Sequence, residues 1–373
     1  MIFLGSTLNY NKDLIPSEPI YGVQWVNDTT ITMVRTDDAT QMSYIIDDSN
    51  GTISSDFDNV FPWNETEIVT DTAGNKFLHF PDMWFRVGLD ANNDINSVAV
   101  SKAHGTGNNW YLCRSFDYGI YGGSVNNTNN LIQSKSGITL ITGGSEYVTK
   151  QLETRCANNS TADYTYYSLD LKHRFALIFL WWIEFATKKA NDIMTGRRGT
   201  GSADFITTTG GTDSLTTPSG YNINTNQMRY HYIEDFVGNV QELLSGVVWG
   251  TDGNLYVTDN PNNFSVISTA NMGLSLINRI SDGYCVQAFG WNSQQPFLCY
   301  ASKTITNDNY DTAFCCYGVL TTATGLALSR CGAGAYWNSP QLGVTTISRL
   351  YENSYSVLDL GVRLLRESAS NFN

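Results

Sequence analysis

The chain has 373 residues, with 22 Lys and Arg against 35 Asp and Glu for a formal net charge of −13, and 15% charged residues where soluble proteins average roughly 25%. A hydrophobic fraction of 42%, including 21 Tyr, 17 Phe and 9 Trp, is enough to build a sizeable core and excludes a disordered chain. The acidic balance excludes a binder driven by nucleic-acid phosphates, which needs a Lys/Arg stripe. Low charge with abundant Tyr, Asn, Ser and Thr is instead the composition of adaptable recognition surfaces.

Residues 1–19 show neither a basic start nor a long apolar run, so no signal peptide is expected. Short alternating runs at 20–26, 30–34 and 43–46, separated by Asn27-Asp28, Asp37-Asp38 and 47–51, predict a small β module over residues 1–60. Residues 61–160 read as an intermediate β-rich region, with a strand pair around Gly74-Asn75 and an Asn-rich loop at 90–109. A short helix is expected near 147–153. Leu171, Phe175, Ile178, Phe179, Trp182, Phe185 and Ile193 recur at helical spacing and predict a helix within 164–193, with Ser168 or Asp170 as N-cap and Gly196 as its stop. Its apolar run, 175–183, is far shorter than the roughly 20 residues a bilayer requires, so the helix is expected in the core and no membrane insertion is expected.

Residues 197–226 are rich in Gly, Ser, Thr and Asn and read as a long loop. Asp252-Gly253 marks a hairpin, and short strands follow at 287–291, 297–301, 314–319 and 360–365. Residues 333–358, rich in Tyr, Trp, Asn, Ser and Thr, show hardly any periodicity and read as a long structured loop framed by strands.

None of the seven cysteines shows a C-x-x-C spacing, and their apolar contexts predict mostly buried free thiols. A Cys113–Cys156 or Cys285–Cys299 disulfide stays open at this level. The four histidines, His79, His104, His173 and His231, are scattered with no ligand spacing, so neither a metal nor a cofactor is expected. No nucleophile motif of the G-x-S-x-G or H-E-x-x-H kind appears, and no enzymatic activity is expected.

Two motifs frame the C-terminal half: Ile233-Glu-Asp-Phe-Val-Gly-Asn-Val-Gln-Glu-Leu-Leu244, and Ser329-Arg-Cys-Gly-Ala-Gly-Ala-Tyr-Trp337 continuing to Leu360-Gly-Val-Arg-Leu-Leu-Arg366. Gly238-Asn239 suits a tight turn at positive φ, Glu242 and Arg363 suit a partly buried charge pair, and Trp337 suits a core anchor. Together these elements resemble the C-type-lectin-like fold of formylglycine-generating-enzyme-related proteins. Within that fold the chain is most similar to phage receptor-binding proteins diversified by retroelements. Residues 20–25, 57–63, 77–81 and 183–194 resemble phage structural proteins that carry such a domain.

The resemblance implies an α+β architecture: small N-terminal β modules, then a C-type-lectin-like ligand-binding domain over 161–373 with short strands, one or two helices and long loops. It implies a tail-tip or fibre-associated virion protein, made in the host cytoplasm, that binds a bacterial surface protein or glycan alongside other virion tail proteins, and a homotrimer. The ligand-contacting residues carried over are Tyr336, Asn338, Ser339, Gln341, Thr345, Thr346, Ser348, Tyr351, Glu352, Tyr355, Val357 and Asp359. Alternation along 355–359 agrees, because its odd positions mix aromatic, apolar and acidic residues where a core face would be uniformly apolar. Residues 336–344, where the family's oxidases carry reactive cysteines, contain no Cys, which argues against that activity. The alternatives are a virion-associated hydrolase acting on host surface glycans and a purely structural virion protein.

Overall fold

A computed structural model describes residues 18–27, 32–141, 149–188, 192–194, 196, 208–249, 255–264, 274–276, 285–293, 296, 299–305, 317–318, 329–333, 347–352 and 360–372. It contains two α-helices among these residues, α1 (Thr149–Ala157) and α2 (Leu171–Phe185). Helix α2 starts where Asp170, in an extended conformation, accepts a 2.9 Å hydrogen bond from the His173 amide, satisfying one of the orphan donors of the first turn. It ends at Ala186, whose left-handed backbone (φ 50°) lets its amide reach the Trp182 carbonyl at 2.9 Å. Every residue of α2 except Lys172 is buried. Each of its large apolar side chains contributes about 2 kcal/mol on leaving water. The helix packs against strands Ile20–Gln24, Ile95–Ser101 and Gln241–Trp249.

The strands among the described residues form six sheets. In the first, Val34–Asp37, Ile20–Gln24, Ile95–Ser101, Met83–Leu89 and Trp110–Cys113 lie side by side. Along its strand Met83–Leu89, Met83, Phe85 and Val87 turn inward at the two-residue period of a sheet with one wet face. The second runs Tyr164–Ser168, Leu364–Ser368, Phe116–Gly119, Lys76–Phe80 and Glu67–Thr70. Its last two strands are the pair expected around Gly74-Asn75. The third joins Ile233–Glu234, Met228–Tyr230, Ser219–Tyr221, Thr52–Ser55 and Tyr44–Asp47. A fourth is centred on Gln241–Trp249, and two two-stranded sheets complete the set. Neighbouring strands pair antiparallel with two exceptions: Leu360–Gly361 runs parallel to Gln241–Trp249, and Tyr317–Gly318 runs parallel to Ile347–Glu352. The Asp252-Gly253 turn lies outside the described residues, while Gln241–Trp249 and Leu255–Val257 on either side of it pair as a hairpin does.

The architecture is therefore mostly β, which corrects the α+β expectation. Stretches expected to be helix or loop are strands. Residues 164–168 do not extend the helix; they pair residue for residue with 364–368. Residues 219–221, inside the expected long loop, bridge Thr52–Ser55 and Met228–Tyr230. Gly196 is not the helix stop. A Cβ there would lie 1.7 Å from the Val237 carbonyl oxygen, so glycine permits the close passage of two backbones. Cys113, Cys156 and Cys299 are free and buried, so neither of the two candidate disulfides is formed. One hydrophobic core runs from Tyr21 to Leu365, crossing residues 60 and 160. A second cluster holds α1 through Leu152 and Cys156 against Phe77, Tyr166 and Leu364. No helix among the described residues is long and apolar enough to cross a membrane.

Candidate ligand-binding face and its frame

Strand Gln241–Trp249 organises the C-terminal half. Ser329–Ala333 pairs with it antiparallel, Glu242 opposite Ala333 and Trp249 opposite Ser329, with a register shift between Leu244 and Val248. Ile347–Glu352 pairs in turn with Ser329–Ala333, Ile347 opposite Ala333 and Glu352 opposite Ser329. Leu360–Gly361 returns to Gln241 and Glu242 in parallel. Three of the twelve expected contact residues, Ser348, Tyr351 and Glu352, thus occupy positions on a paired strand. The other nine, Tyr336, Asn338, Ser339, Gln341, Thr345, Thr346, Tyr355, Val357 and Asp359, lie outside the described residues, as does Trp337.

Beneath the strand ends is a buried polar frame. Arg363 is fully buried; its Nε donates to Glu242 Oε1 at 2.5 Å, forming the charge pair expected from sequence. Its Nη1 donates to the Gly119 and Ile120 carbonyls, each at 2.9 Å, and its Nη2 to the Glu234 carbonyl at 2.7 Å. Burial alone would lower the arginine's pKa, but the Glu242 carboxylate together with Tyr118 and Asp235 outweighs it and the pKa is raised. One guanidinium thereby joins three segments distant in sequence, a task suited to its planar fork of donors.

The loop ahead of Glu242 is held as tightly. Gly238 and Asn239 both take positive φ, 93° and 62°, as expected from their sequence. Asn239 Nδ2 donates to Asp235 Oδ2 at 3.0 Å, and Gln227 Nε2 donates to the same oxygen at 3.3 Å. Burial, with Glu234 alongside, pushes the Asp235 carboxyl up to about 7. Glu234 is raised by burial as well, although it accepts the Gly210 amide at 2.8 Å and the Thr212 amide and hydroxyl at 3.0 Å. Downstream, Arg366 Nε donates to Asp117 Oδ2 at 2.6 Å, and its Nη1 to the Tyr166 hydroxyl at 3.0 Å. The other Asp117 oxygen lies 2.7 Å from His79 Nδ1.

Two buried histidine–carboxylate clusters, one at each end of α2, escape sequence reasoning. At the start, His173 Nδ1 lies 2.8 Å from Asp170 Oδ1 and its Nε2 3.5 Å from Glu367 Oε1. At the end, His231 lies between Glu184 and Asp58. His173 and Asp170 are three residues apart, a spacing that helical geometry could have paired. Asp58, Glu184 and His231 share no local spacing, and only the tertiary fold unites them. Burial raises the thiol of Cys113 to about 12 and lifts those of Cys156 and Cys299 as well, so none of these three is poised as a nucleophile.

No protein-family model matches the sequence, and no curated protein matches it. Among solved structures, the chain is similar to a Major Tropism Determinant U1 variant, at a TM-score of 0.32 and 12% identity, covering 95% of this chain and 73% of that one. The buried frame stands on this chain's own geometry.

Proposed function

We propose that the protein is a receptor-binding component of a phage virion that recognises a bacterial surface protein or glycan through residues 336–359, without turnover. The observation that carries this reading is that the polar, aromatic stretch 334–359 lies between the strands Ser329–Ala333 and Leu360–Gly361 and itself supplies a third, Ile347–Glu352. Strands Ser329–Ala333, Ile347–Glu352 and Leu360–Gly361 are all tied, directly or through one another, to Gln241–Trp249, and Arg363 locks the last of these onto a buried frame. A rigid support under Tyr, Asn and Ser residues is what a paratope-like surface requires: the aromatics supply contact area at small entropic cost, and the polar residues adapt their hydrogen bonds. Assembly as a homotrimer with other tail proteins would multiply weak single-site contacts. Diversification by a retroelement would confine sequence variation to 336–359 among sibling chains.

The test is retention of the purified, labelled protein on intact bacterial cells from a panel of strains. Saturable retention on a subset of strains is expected. Uniform absence of binding, or steady release of glycan fragments from the envelope, would overturn the reading, the latter in favour of a hydrolase.

A further inference from the structure

His231 stands between two carboxylates that come from opposite parts of the chain. Its Nε2 is 2.8 Å from Glu184 Oε2, and its Nδ1 is 3.7 Å from Asp58 Oδ1. One donor atom from each of the three residues lies within 4.8 Å of the other two. The side chains of Glu184 and His231 are 0% and 3% exposed, and that of Asp58 is 21% exposed. Glu184 Oε1 and Asp58 Oδ1 are both buried without a hydrogen-bond partner. The neighbouring Tyr230 hydroxyl accepts from Trp63 Nε1 at 3.4 Å and faces the Glu184 carboxylate. Two carboxylates and an imidazole thus converge in a largely buried site with one oxygen of each carboxylate unpartnered, an arrangement that suits a cation.

We propose that Asp58, Glu184 and His231 bind a divalent first-row transition ion of the zinc or manganese class. One imidazole and two carboxylates form a mixed nitrogen and oxygen donor set suited to these ions. Two donors each about 2.1 Å from a common ion stand roughly 3.0–3.4 Å apart. Nε2 stands 2.8 Å from Glu184 and Nδ1 3.7 Å from Asp58, so the imidazole must turn to offer a single nitrogen to an ion that both carboxylates reach. Three protein ligands leave a position for water, reached from the side of Asp58, the most exposed of the three.

Each ligand is already oriented. Asp58 belongs to the 3-10 turn Asp56–Asn59, where its Oδ2 accepts the Ser55 amide at 3.3 Å and Oδ1 remains available. Glu184 is fixed near the end of buried α2. His231 has a left-handed backbone (φ 40°), and its amide donates to Ser219 Oγ at 3.0 Å. Arg35, the guanidinium beside this cluster, hydrogen-bonds the Glu184 backbone carbonyl and acts on the Glu184 carboxylate only through space. The cluster at the other end of α2 differs in having a cation in ion-pair contact with its carboxylate. There Glu367 accepts the Tyr167 hydroxyl and lies 3.6 Å from Lys172 Nζ, so an ammonium already supplies the positive charge.

The experiment uses the full chain, stripped with a chelator and dialysed against zinc chloride or manganese chloride, with bound metal counted by mass spectrometry. The expected result is one equivalent of at least one of the two ions per chain and a rise in melting midpoint. Asp58→Asn and His231→Gln should each weaken binding at least tenfold, while His104→Ala, which removes an imidazole outside the cluster, retains it. X-ray absorption on the loaded wild type should show an inner shell of nitrogen and oxygen donors including one imidazole. Failure of both ions to bind stoichiometrically to the wild type would overturn the proposal. Undiminished binding by folded Asp58→Asn would overturn it equally.

Discussion

Residues 360–368 and residues 334–359 adjoin in sequence but follow opposite rules. The first segment buries Arg363 and Arg366 against Glu242, Asp117 and backbone carbonyls, so its charges are consumed in holding the fold. The second contains only Arg349, Glu352 and Asp359 as charged residues, in a run of Tyr, Trp, Asn, Ser and Thr with no period to commit it to a core. Buried ion pairs fix a geometry because breaking one strands a charge, whereas neutral polar and aromatic residues can be exchanged without that penalty. The chain thus places a segment whose charges are buried in the fold directly after one with few charges to bury.

The largest effects are expected from the frame. Arg363→Met leaves the Glu242 carboxylate and three carbonyls without their donor and should cost about 3–5 kcal/mol, read as a fall in urea midpoint. If that variant unfolds at the wild-type denaturant concentration, the guanidinium is not the lock described. Trp182→Ala, in the buried heart of α2 with Trp25 at 5.3 Å between ring centroids, should lose a similar ~3–5 kcal/mol.

A subtler test uses Asp235. Its folded pKa is raised to about 7 by burial and by Glu234, so across roughly pH 4 to 7 the folded state keeps a proton that the unfolded chain has lost. This group's contribution to stability is therefore present at low pH and declines as pH rises through that window. Asp235→Asn cannot titrate and should flatten the decline, leaving the variant favoured relative to wild type above pH 7. An unchanged pH profile would contradict the assignment. The smallest effect on folding is expected on the face: Tyr351→Ala/Tyr355→Ala should leave the melting midpoint nearly unchanged.

Much of the frame is legible in the sequence because its signals are local. The apolar spacing from Leu171 to Phe185 and the cap at Asp170 mark α2, and Gly238-Asn239 marks a positive-φ turn that is present. The Glu242–Arg363 pair follows from motif order and is formed. The fold class is not legible in the same way, because pairing over long sequence separations has no local signature. Strand Tyr164–Ser168 runs almost directly into a helix and is defined by a partner at Leu364–Ser368, and Ser219–Tyr221 is too short to reveal alternation. The cluster of Asp58, Glu184 and His231 is hidden for the same reason.

If recognition resides in the C-terminal stretch and stability in the frame beneath it, the two properties are separable. The most direct test measures binding of labelled wild type and Tyr351→Ala/Tyr355→Ala to the same bacterial cells, with melting midpoints recorded alongside. A hot-spot tyrosine is worth ~2 kcal/mol, so at least a tenfold loss of binding at an unchanged midpoint is predicted. Wild-type binding by the folded double variant would contradict it.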